Sequence, residues 1–484
     1  MHFKDLHEFI GYLETKNDLV RIERQVSSEL EITEIADRMV KSGGPALLFE
    51  NVLGSKFPLV INLFGTHQRV AWALGVDSTD EIVSRVKKIL GLINNPPKSL
   101  MDKLGTLTNL AGIAKTQPKL VKKGVCQEIT LIGSEVDLNK LPILKCWPED
   151  AGKFITLPLV ISKDPISGHR NVGIYRMQIF DSATTGMHWQ THKVGASHLR
   201  KGIDHKIERM EVAVALGGDP TTIWSGSMPL PPDLDEFAVS GIIREKSVEM
   251  VKCKTIDVDV PANAEFVLEG YVIPGELRKE GPFGDHTGYY SLPQNYPVYH
   301  VTAITHRRNP IYPTTMVGRP PSEDFFMGKA SERIMLPALQ MTLPEVVDMN
   351  MPAEGIFTNY VLVSIKKEFP GHARKVMYGL WGIGQMSLVK GIVIFDEHVN
   401  IQDHSEVAWR LGANVDPKRD IIIVEGAIDD LDHASSTPKF GAKIGIDATS
   451  KDQSEGRTEE WPNEIIMDPA IKNLVDQQWS EYNL

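Results

Sequence analysis

The run Glu280-Gly281-Pro282-Phe283-Gly284-Asp285 is where side chains able to do chemistry are densest. Carboxylates at positions 276, 280 and 285 belong to a segment that Pro282 stiffens and that Gly281, Gly284 and Gly288 loosen, an arrangement able to aim Glu280 and Asp285 at one point. Two neighbouring carboxylates cannot both ionise cheaply, so one of them is expected to keep its proton and serve as a general acid. A solvated, charged surface turn is the simpler alternative, but it leaves Phe283, Tyr289 and Tyr290 without a purpose.

Upstream, Asn171-Val172-Gly173-Ile174-Tyr175-Arg176 sets an amide and a guanidinium among apolar neighbours. An unpaired buried charge is costly, so Arg176 must meet a carboxylate; an active site and a structural ion pair between strands satisfy that demand equally. His188 and His192 are four apart and would share one face of a helix, but position 189 is Trp where a zinc protease needs Glu. Such histidines are more often structural than ligands. In the Pro-rich run Trp224-Ser225-Gly226-Ser227-Met228-Pro229-Leu230-Pro231, backbone carbonyls are expected to lack ladder partners, and with Glu236 such oxygens suit a hard cation. Glu236 also opens a helix, where the dipole favours an acid whatever the function.

These residues sit in a chain of 484, long enough for two or three domains, with 42% hydrophobic and 24% charged residues, as in globular proteins. The net charge of -11 argues against general nucleic-acid binding, so an anionic ligand must meet a local basic site. Cys126, Cys146 and Cys253 form no CxxC pair and fit core thiols in a reducing compartment. The opening residues lack a basic stretch followed by an apolar one, and no run approaches the ~18 apolar residues of a membrane span. The expected location is the cytoplasm, at most on a membrane surface.

The elements that must position the site fall into three parts. Residues 1–120 alternate helices and strands: Ser28-Glu29-Leu30-Glu31 has the form of a capping box before an apolar helical pattern that ends at Gly43-Gly44. Strands at 46–49 and 59–61 follow, then a helix over 79–92 that stops before Asn94-Asn95-Pro96-Pro97. Residues 121–315 turn to short β-rich runs at 154–161, 171–180, 211–216, 255–260, 266–273 and 298–304, as in a barrel or closed sheet. Residues 316–484 return to helix and strand, with strands at 360–365, 391–395 and 420–424 and a charged tail whose 465–480 portion forms a helix that docks elsewhere or on another subunit. No GxGxxG, P-loop or GxSxG is present.

The runs NVGIYR (171–176), HWQTHK (188–193), SMPLPPDLDEF (227–237) and above all EGPFGDHTGYY (280–290) resemble the UbiD family of prenylated-flavin-dependent decarboxylases. LEITEIADR, GGPALLFEN, NLFGT, CWPEDA, VKC, VLEGY, GRPP and GIDAT extend the likeness over nearly the whole chain, and to the members acting on polyprenylated hydroxybenzoate in ubiquinone synthesis. The resemblance implies an α+β, α/β multidomain fold with an N-terminal α/β region, a central split β-barrel like that of flavin reductases and a C-terminal α/β domain with an oligomerisation tail. It further implies a prenylated FMN held by Asn171, Ile174, Arg176, Gln190, His192, Met228, Pro229, Glu236 and Lys390. A divalent metal, usually manganese, would bridge the flavin phosphate to Asn171, His192 and Glu236; without it a dianionic phosphate would repel Glu236. A potassium ion would use Glu236 and the carbonyls near Ser225, Ser227 and Met228. Arg176, Glu280 and Asp285 correspond to the family's catalytic triad, with Arg176 holding Glu280 and orienting the substrate carboxylate, and Asp285, or Glu280 through it, protonating the vacated carbon.

The implied substrate is an aromatic acid, 4-hydroxy-3-polyprenylbenzoate first, with phenolic, naphthoic or cinnamic acids and the reverse carboxylation as alternatives. A flavin prenyltransferase is implied as cofactor supplier and a homo-oligomer, dimer or hexamer, as the assembly. An ordinary FMN oxidoreductase would need a hydride donor, for which no dinucleotide fingerprint exists. A non-catalytic flavin-binding protein would have no use for Arg176, Glu280 and Asp285 together.

Overall fold

In the computed structural model, which describes residues 2–94, 112–231 and 234–482, the middle of the molecule is organised by one long strand, Phe266–Glu280. Its first five residues are buried on both faces; from Ile273 it runs into solvent, and only its last residue, Glu280, returns to the interior. It pairs with Met210–Leu216 on one side and Gln294–His306 on the other, within an antiparallel seven-stranded sheet completed by Thr184–Gly186, Ile129–Ile132, Leu159–Lys163 and Arg170–Gly173. Among the described residues no ladder joins the two edges of this sheet, so its hydrogen bonding is open where a closed sheet was expected. The ladder between Phe266–Glu280 and Gln294–His306 shifts register at Glu269/Gly270, and a Cβ at Gly270 would stand 1.9 Å from the His300 carbonyl oxygen. Only glycine allows the strands to approach so closely there.

The strand expected over 255–260 is confined to Asp259–Pro261. The reason is the buried Glu269 carboxylate, which accepts from the Lys254 N–H (2.8 Å), the Thr255 N–H (2.6 Å) and the Thr255 hydroxyl (2.7 Å) and so takes that backbone away from a ladder. The other central runs form strands with altered bounds: 154–161 and 171–180 each break into two pieces, and 298–304 lengthens to Gln294–His306.

The N-terminal part folds as helix Leu6–Thr15, helix Glu31–Lys41 and a four-stranded sheet whose fourth strand, Tyr312–Pro313, arrives from far along the chain. The capping box at Ser28 does not form. Leu30 occupies the cap position with φ +67°, and Glu31 reaches back to the Ser27 N–H at 2.8 Å, one residue before the expected place. Helix Thr79–Asn94 forms where expected and runs two residues past the expected end at Leu92, while Asn95, Pro96, Pro97 and Asp233 lie outside the described residues.

A second α/β layer carries the order Val346–Asn350, Tyr360–Ile365, Gly391–Asp396, Phe440–Asp447, Ile421–Ala427, parallel across its three middle strands. Val361, Val363, Ile392, Ile394 and Phe395 are fully buried, as parallel strands covered on both faces require. Helix Glu323–Thr342 ties this layer to the N-terminal sheet. Its buried Glu323 accepts from the Asn62 N–H (3.1 Å), the Phe64 N–H (2.9 Å) and the Thr315 hydroxyl (2.7 Å). The tail helix Pro469–Gln478 has no buried residue, and all three cysteines are free thiols.

Replacing Gly270 by Ala should lower the thermal unfolding midpoint by about 2–10 °C, the result of about 1–3 kcal/mol of overpacking. A calorimetric midpoint unchanged from the parent would show that the strands separate there without cost.

Candidate active site

Arg176 follows strand Arg170–Gly173 on a chain turn that the interior envelops, and its guanidinium is divided among three partners. Nε–H donates to Glu280 Oε1 at 3.0 Å, Nη1 to Asp285, and Nη2 to the Ser291 hydroxyl at 3.0 Å. The Phe283 ring lies under the guanidinium at 4.6 Å, which accounts for an aromatic residue inside so polar a loop. Glu280 closes the long strand, and Asp285 belongs to the turn after Phe283–Gly284; the glycines let this turn fold back, with the Gly281 N–H donating to Gln178 Oε1 and the Gly284 N–H to Asp150 Oδ1, both at 2.8 Å. Glu276 takes no part: it pairs with His300 on the outer stretch of the strand.

The expectation that one carboxyl keeps its proton is overturned. Burial opposes ionisation of both acids, but His188 and Arg176 together hold Glu280 below its ordinary value, and Arg176 with His286 holds Asp285 well below the carboxylate range. The guanidinium lies between the two acids and removes the repulsion that would have forced a proton onto one of them. The proton resides next door. Burial works against the His286 imidazolium, yet its hydrogen bond to Asp285 (Nδ1 to Oδ1, 3.0 Å) and the charges of Asp285, Asp324 and Asp429 raise it to about 9.

Two partners escaped the sequence. His188 Nδ1 lies 2.8 Å from Glu280 Oε1, with its ring on Tyr296 at 4.2 Å; burial depresses its pKa, so it is a neutral donor to the carboxylate. The sequence singled His188 out by its spacing to His192 and by the HWQTHK run, but not as the partner of Glu280. Asp150, in the Cys146–Ala151 run, also carries the Trp147 N–H at 2.8 Å. Two polar atoms here, Glu280 Oε2 and His188 Nε2, are buried without a partner, as in a pocket shaped for a ligand that supplies them. A cavity of about 290 Å³ adjoins, walled by Trp189, Gln190, Tyr296, Asp430 and Lys439.

The expected metal ligands come together only in part. Asn171 is buried with its amide 3.4 Å from the Tyr175 hydroxyl, and Glu236, first residue of helix Glu236–Ile243, accepts from the Val172 N–H at 2.9 Å. Burial raises the Glu236 carboxyl to about 7, the behaviour of an acid buried without a cation; a divalent ion fits that deficit. His192 is exposed, and its charged neighbours are Lys193, Asp429, Asp430 and Lys439. Among the described residues no three His, Cys, Asp or Glu side chains form a metal cluster, so such an ion would draw on one imidazole, one carboxylate and an amide.

The carbonyls of the Pro-rich loop are not without partners, contrary to expectation: those of Trp224, Ser225 and Met228 accept the N–H groups of Ser227, Met228 and Leu230. The Trp224 carbonyl also accepts the Ser227 hydroxyl at 2.7 Å, so only those of Ser225 and Met228 keep a second lone pair for a cation. Of the remaining expected flavin contacts, Ile174 is partly buried beneath the Gly226 carbonyl, Gln190 lines the cavity, Met228 is buried and Pro229 exposed. Lys390 is engaged by Asp432 at 2.6 Å, with its backbone N–H on the Asn359 carbonyl beside Thr358.

Family models for the 3-octaprenyl-4-hydroxybenzoate carboxy-lyase match this chain in three pieces: the N-terminal domain at residues 10–89, the Rift-related domain at 119–320 and the C-terminal domain at 325–448. An uncharacterized protein of Archaeoglobus fulgidus is 49% identical over 482 residues, 99% of each chain. The UbiD-class enzyme HmfF from Pelotomaculum thermopropionicum, in complex with FMN, is 29% identical with a TM-score of 0.79 over 98% of this chain and 99% of that one. An evolved dimeric form of HmfF in complex with prFMN is 28% identical, with a TM-score of 0.77 over 97% and 98%. Vanillic acid decarboxylase of Sedimentibacter hydroxybenzoicus, in its closed form, is 26% identical with a TM-score of 0.87 over 100% and 99%.

Replacing Arg176 by Met leaves two buried carboxylates side by side, a change expected to cost about 3–5 kcal/mol. Both acids would then titrate above their unfolded values, so the loss should be small near pH 4 and grow as they ionise towards pH 8. Thermal midpoints of variant and parent across that range measure it; a deficit independent of pH contradicts the assignment.

Proposed function

Because the chain belongs to the UbiD family of carboxy-lyases, we propose that it decarboxylates an aromatic acid without net oxidation, using prenylated FMN and a divalent metal, manganese first. The observation that carries this reading is the buried group Arg176, Glu280 and Asp285 beside two partnerless polar atoms and a cavity. A bound prenylated flavin would supply the sink for the electrons released with carbon dioxide. Asn171, His192 and Glu236 are the residues proposed to hold its metal, and Ile174, Arg176, Gln190, Met228, Pro229 and Lys390 to contact the flavin, with potassium at the 225–228 loop. That flavin would occupy the central domain, proposed at 121–315 as a split barrel between domains at 1–120 and 316–484.

In this reading Arg176 attracts the substrate carboxylate through its one cationic fork, and its bond to Glu280 fixes the direction in which the fork points. Glu280, held by both Arg176 and His188, is a fixed negative wall that keeps the reacting carboxylate from settling too tightly. Asp285 delivers the proton that replaces the departed carboxylate. Burial of the group excludes water, so the proton comes from the side chain and not from stray solvent.

The first-choice substrate is 4-hydroxy-3-polyprenylbenzoate of ubiquinone synthesis; a smaller phenolic acid is the second reading, favoured by the modest volume of the cavity, about 290 Å³. A homo-oligomer is supported by the tail helix Pro469–Gln478, on which Ile471 and Leu474 are exposed, with Trp479 exposed just beyond it. Among the described residues no helix is long and apolar enough to cross a membrane.

The test is co-expression with a flavin prenyltransferase, the absorbance and mass spectra of the bound cofactor, and a screen of aromatic acids for carbon dioxide release. Unmodified FMN with NAD(P)H oxidation and no carbon dioxide release would refute the reading. Asp285→Asn should keep its flavin and lose turnover by at least about 10²-fold; wild-type turnover would remove Asp285 from the chemistry. Glu236→Ala should lose metal and flavin together, as measured by elemental analysis and absorbance, and full retention of both would reassign the ligand.

A further inference from the structure

We propose that His286 is the proton reservoir of the site: its imidazolium, hydrogen-bonded through Nδ1 to Asp285 Oδ1 at 3.0 Å and contacted at Nε2 by Thr358, supplies the proton that Asp285 passes to the substrate carbon. This rests on the decarboxylase reading above and names the origin of the proton in it.

Loss of carbon dioxide from a carboxylate consumes one proton: the bond between ring carbon and carboxyl breaks, its electron pair stays on the ring side, and a new C–H bond forms there. Asp285 cannot be the resting store of that proton, because Arg176 and His286 hold it ionised. The imidazolium can, since it stays charged up to about 9. Asp285 accepts from His286 twice, through the backbone N–H (2.8 Å) and through Nδ1, so the pair is aligned before any substrate arrives. When the substrate carboxylate engages Arg176, that cation is shared and Asp285 becomes more basic; the proton then moves from Nδ1 to Oδ1, and from there to carbon. A proton from water restores the imidazolium.

The charged and titratable groups that face His286 come from each element packed on it. Asp285 precedes it in the loop, with Arg176 behind Asp285; Asp324 lies on the first turn of helix Glu323–Thr342, and Asp429 on the segment after strand Ile421–Ala427. Burial raises the Asp324 carboxyl to about 7, so near neutrality this third acid is itself only partly charged. Phe357 covers the ring at 5.7 Å, and Thr358 Oγ1 stands 3.4 Å from Nε2. The side chain keeps 16% of its surface exposed, which is the route to water.

The experiment has two arms on the full-length chain. In the first, histidine is labelled with nitrogen-15 in the protein as purified, the His286 resonances are assigned by their loss in His286→Asn, and the ring is titrated. A midpoint near 9, falling by at least one pH unit in Asp285→Asn, is the expected result. A midpoint at or below the ordinary value of about 6.5 overturns the proposal. In the second, turnover is followed against pH in enzyme co-expressed with the prenyltransferase. His286→Asn keeps an N–H donor for Asp285 but carries no exchangeable charge; kcat should fall on the order of 10²-fold with flavin content and KM nearly unchanged, and the alkaline limb near 9 should disappear. A fall in kcat with the alkaline limb intact would make His286 structural and end the proposal. If loaded wild-type protein turns over no aromatic acid, the decarboxylase reading fails, while the titration arm still decides whether the pair stores a proton.

Discussion

One guanidinium shared by two buried carboxylates sets the terms for everything around it. Arg176 can be buried only because Glu280 and Asp285 come to it, and each acid tolerates burial only because Arg176 is there. The fold satisfies this demand from three directions. A short edge strand delivers the arginine, the longest strand ends on one acid, and a glycine-rich turn presents the other. His188, Ser291, Gln178 and Asp150 then hold those three pieces in register through hydrogen bonds to side chain or backbone.

Much of this could be read in the chain. A charged residue among apolar strand neighbours, as at Arg176, has to be paired, and acids spaced by proline and glycines are the natural partners; the family resemblance named the same three positions. What could not be read was protonation. The rule that adjacent acids share a proton fails when a cation lies between them, and only coordinates place a cation. His188 was equally opaque, because its partner Glu280 is remote in sequence and a histidine beside a tryptophan has many uses. For the metal ligands, Asn171 and Glu236 meet as neighbours of Tyr175, but His192 faces the 429–439 segment, whose approach leaves no trace in local sequence.

The fold shows the same division. Uniform apolar runs such as 360–365 and 391–395 announce buried parallel strands, and they form almost to the residue. Phe440–Asp447, interrupted by two glycines and a lysine, carries no comparable pattern and is a strand because its neighbours on both sides supply ladders. The segment at 255–258 fails in the opposite sense: its β-prone residues are captured by the carboxylate of Glu269, a side chain competing with a sheet for the same N–H groups. Ser28 lost its expected cap for a local reason, since Leu30 adopts a positive φ, takes the cap position and displaces the helix start by two positions.

The carboxylate of Glu323 fastens the start of a twenty-residue helix to two backbone amides of the N-terminal sheet, far inside the protein. That end of the helix is therefore a fixed mount. Its neighbour Asp324 is on that same first turn, whereas Thr358 belongs to the layer that follows the other end of the helix, past Leu343. The imidazole of His286 is therefore held between an acid at the start of the helix and a hydroxyl of the layer that follows its end, so two separate parts of the chain set its surroundings.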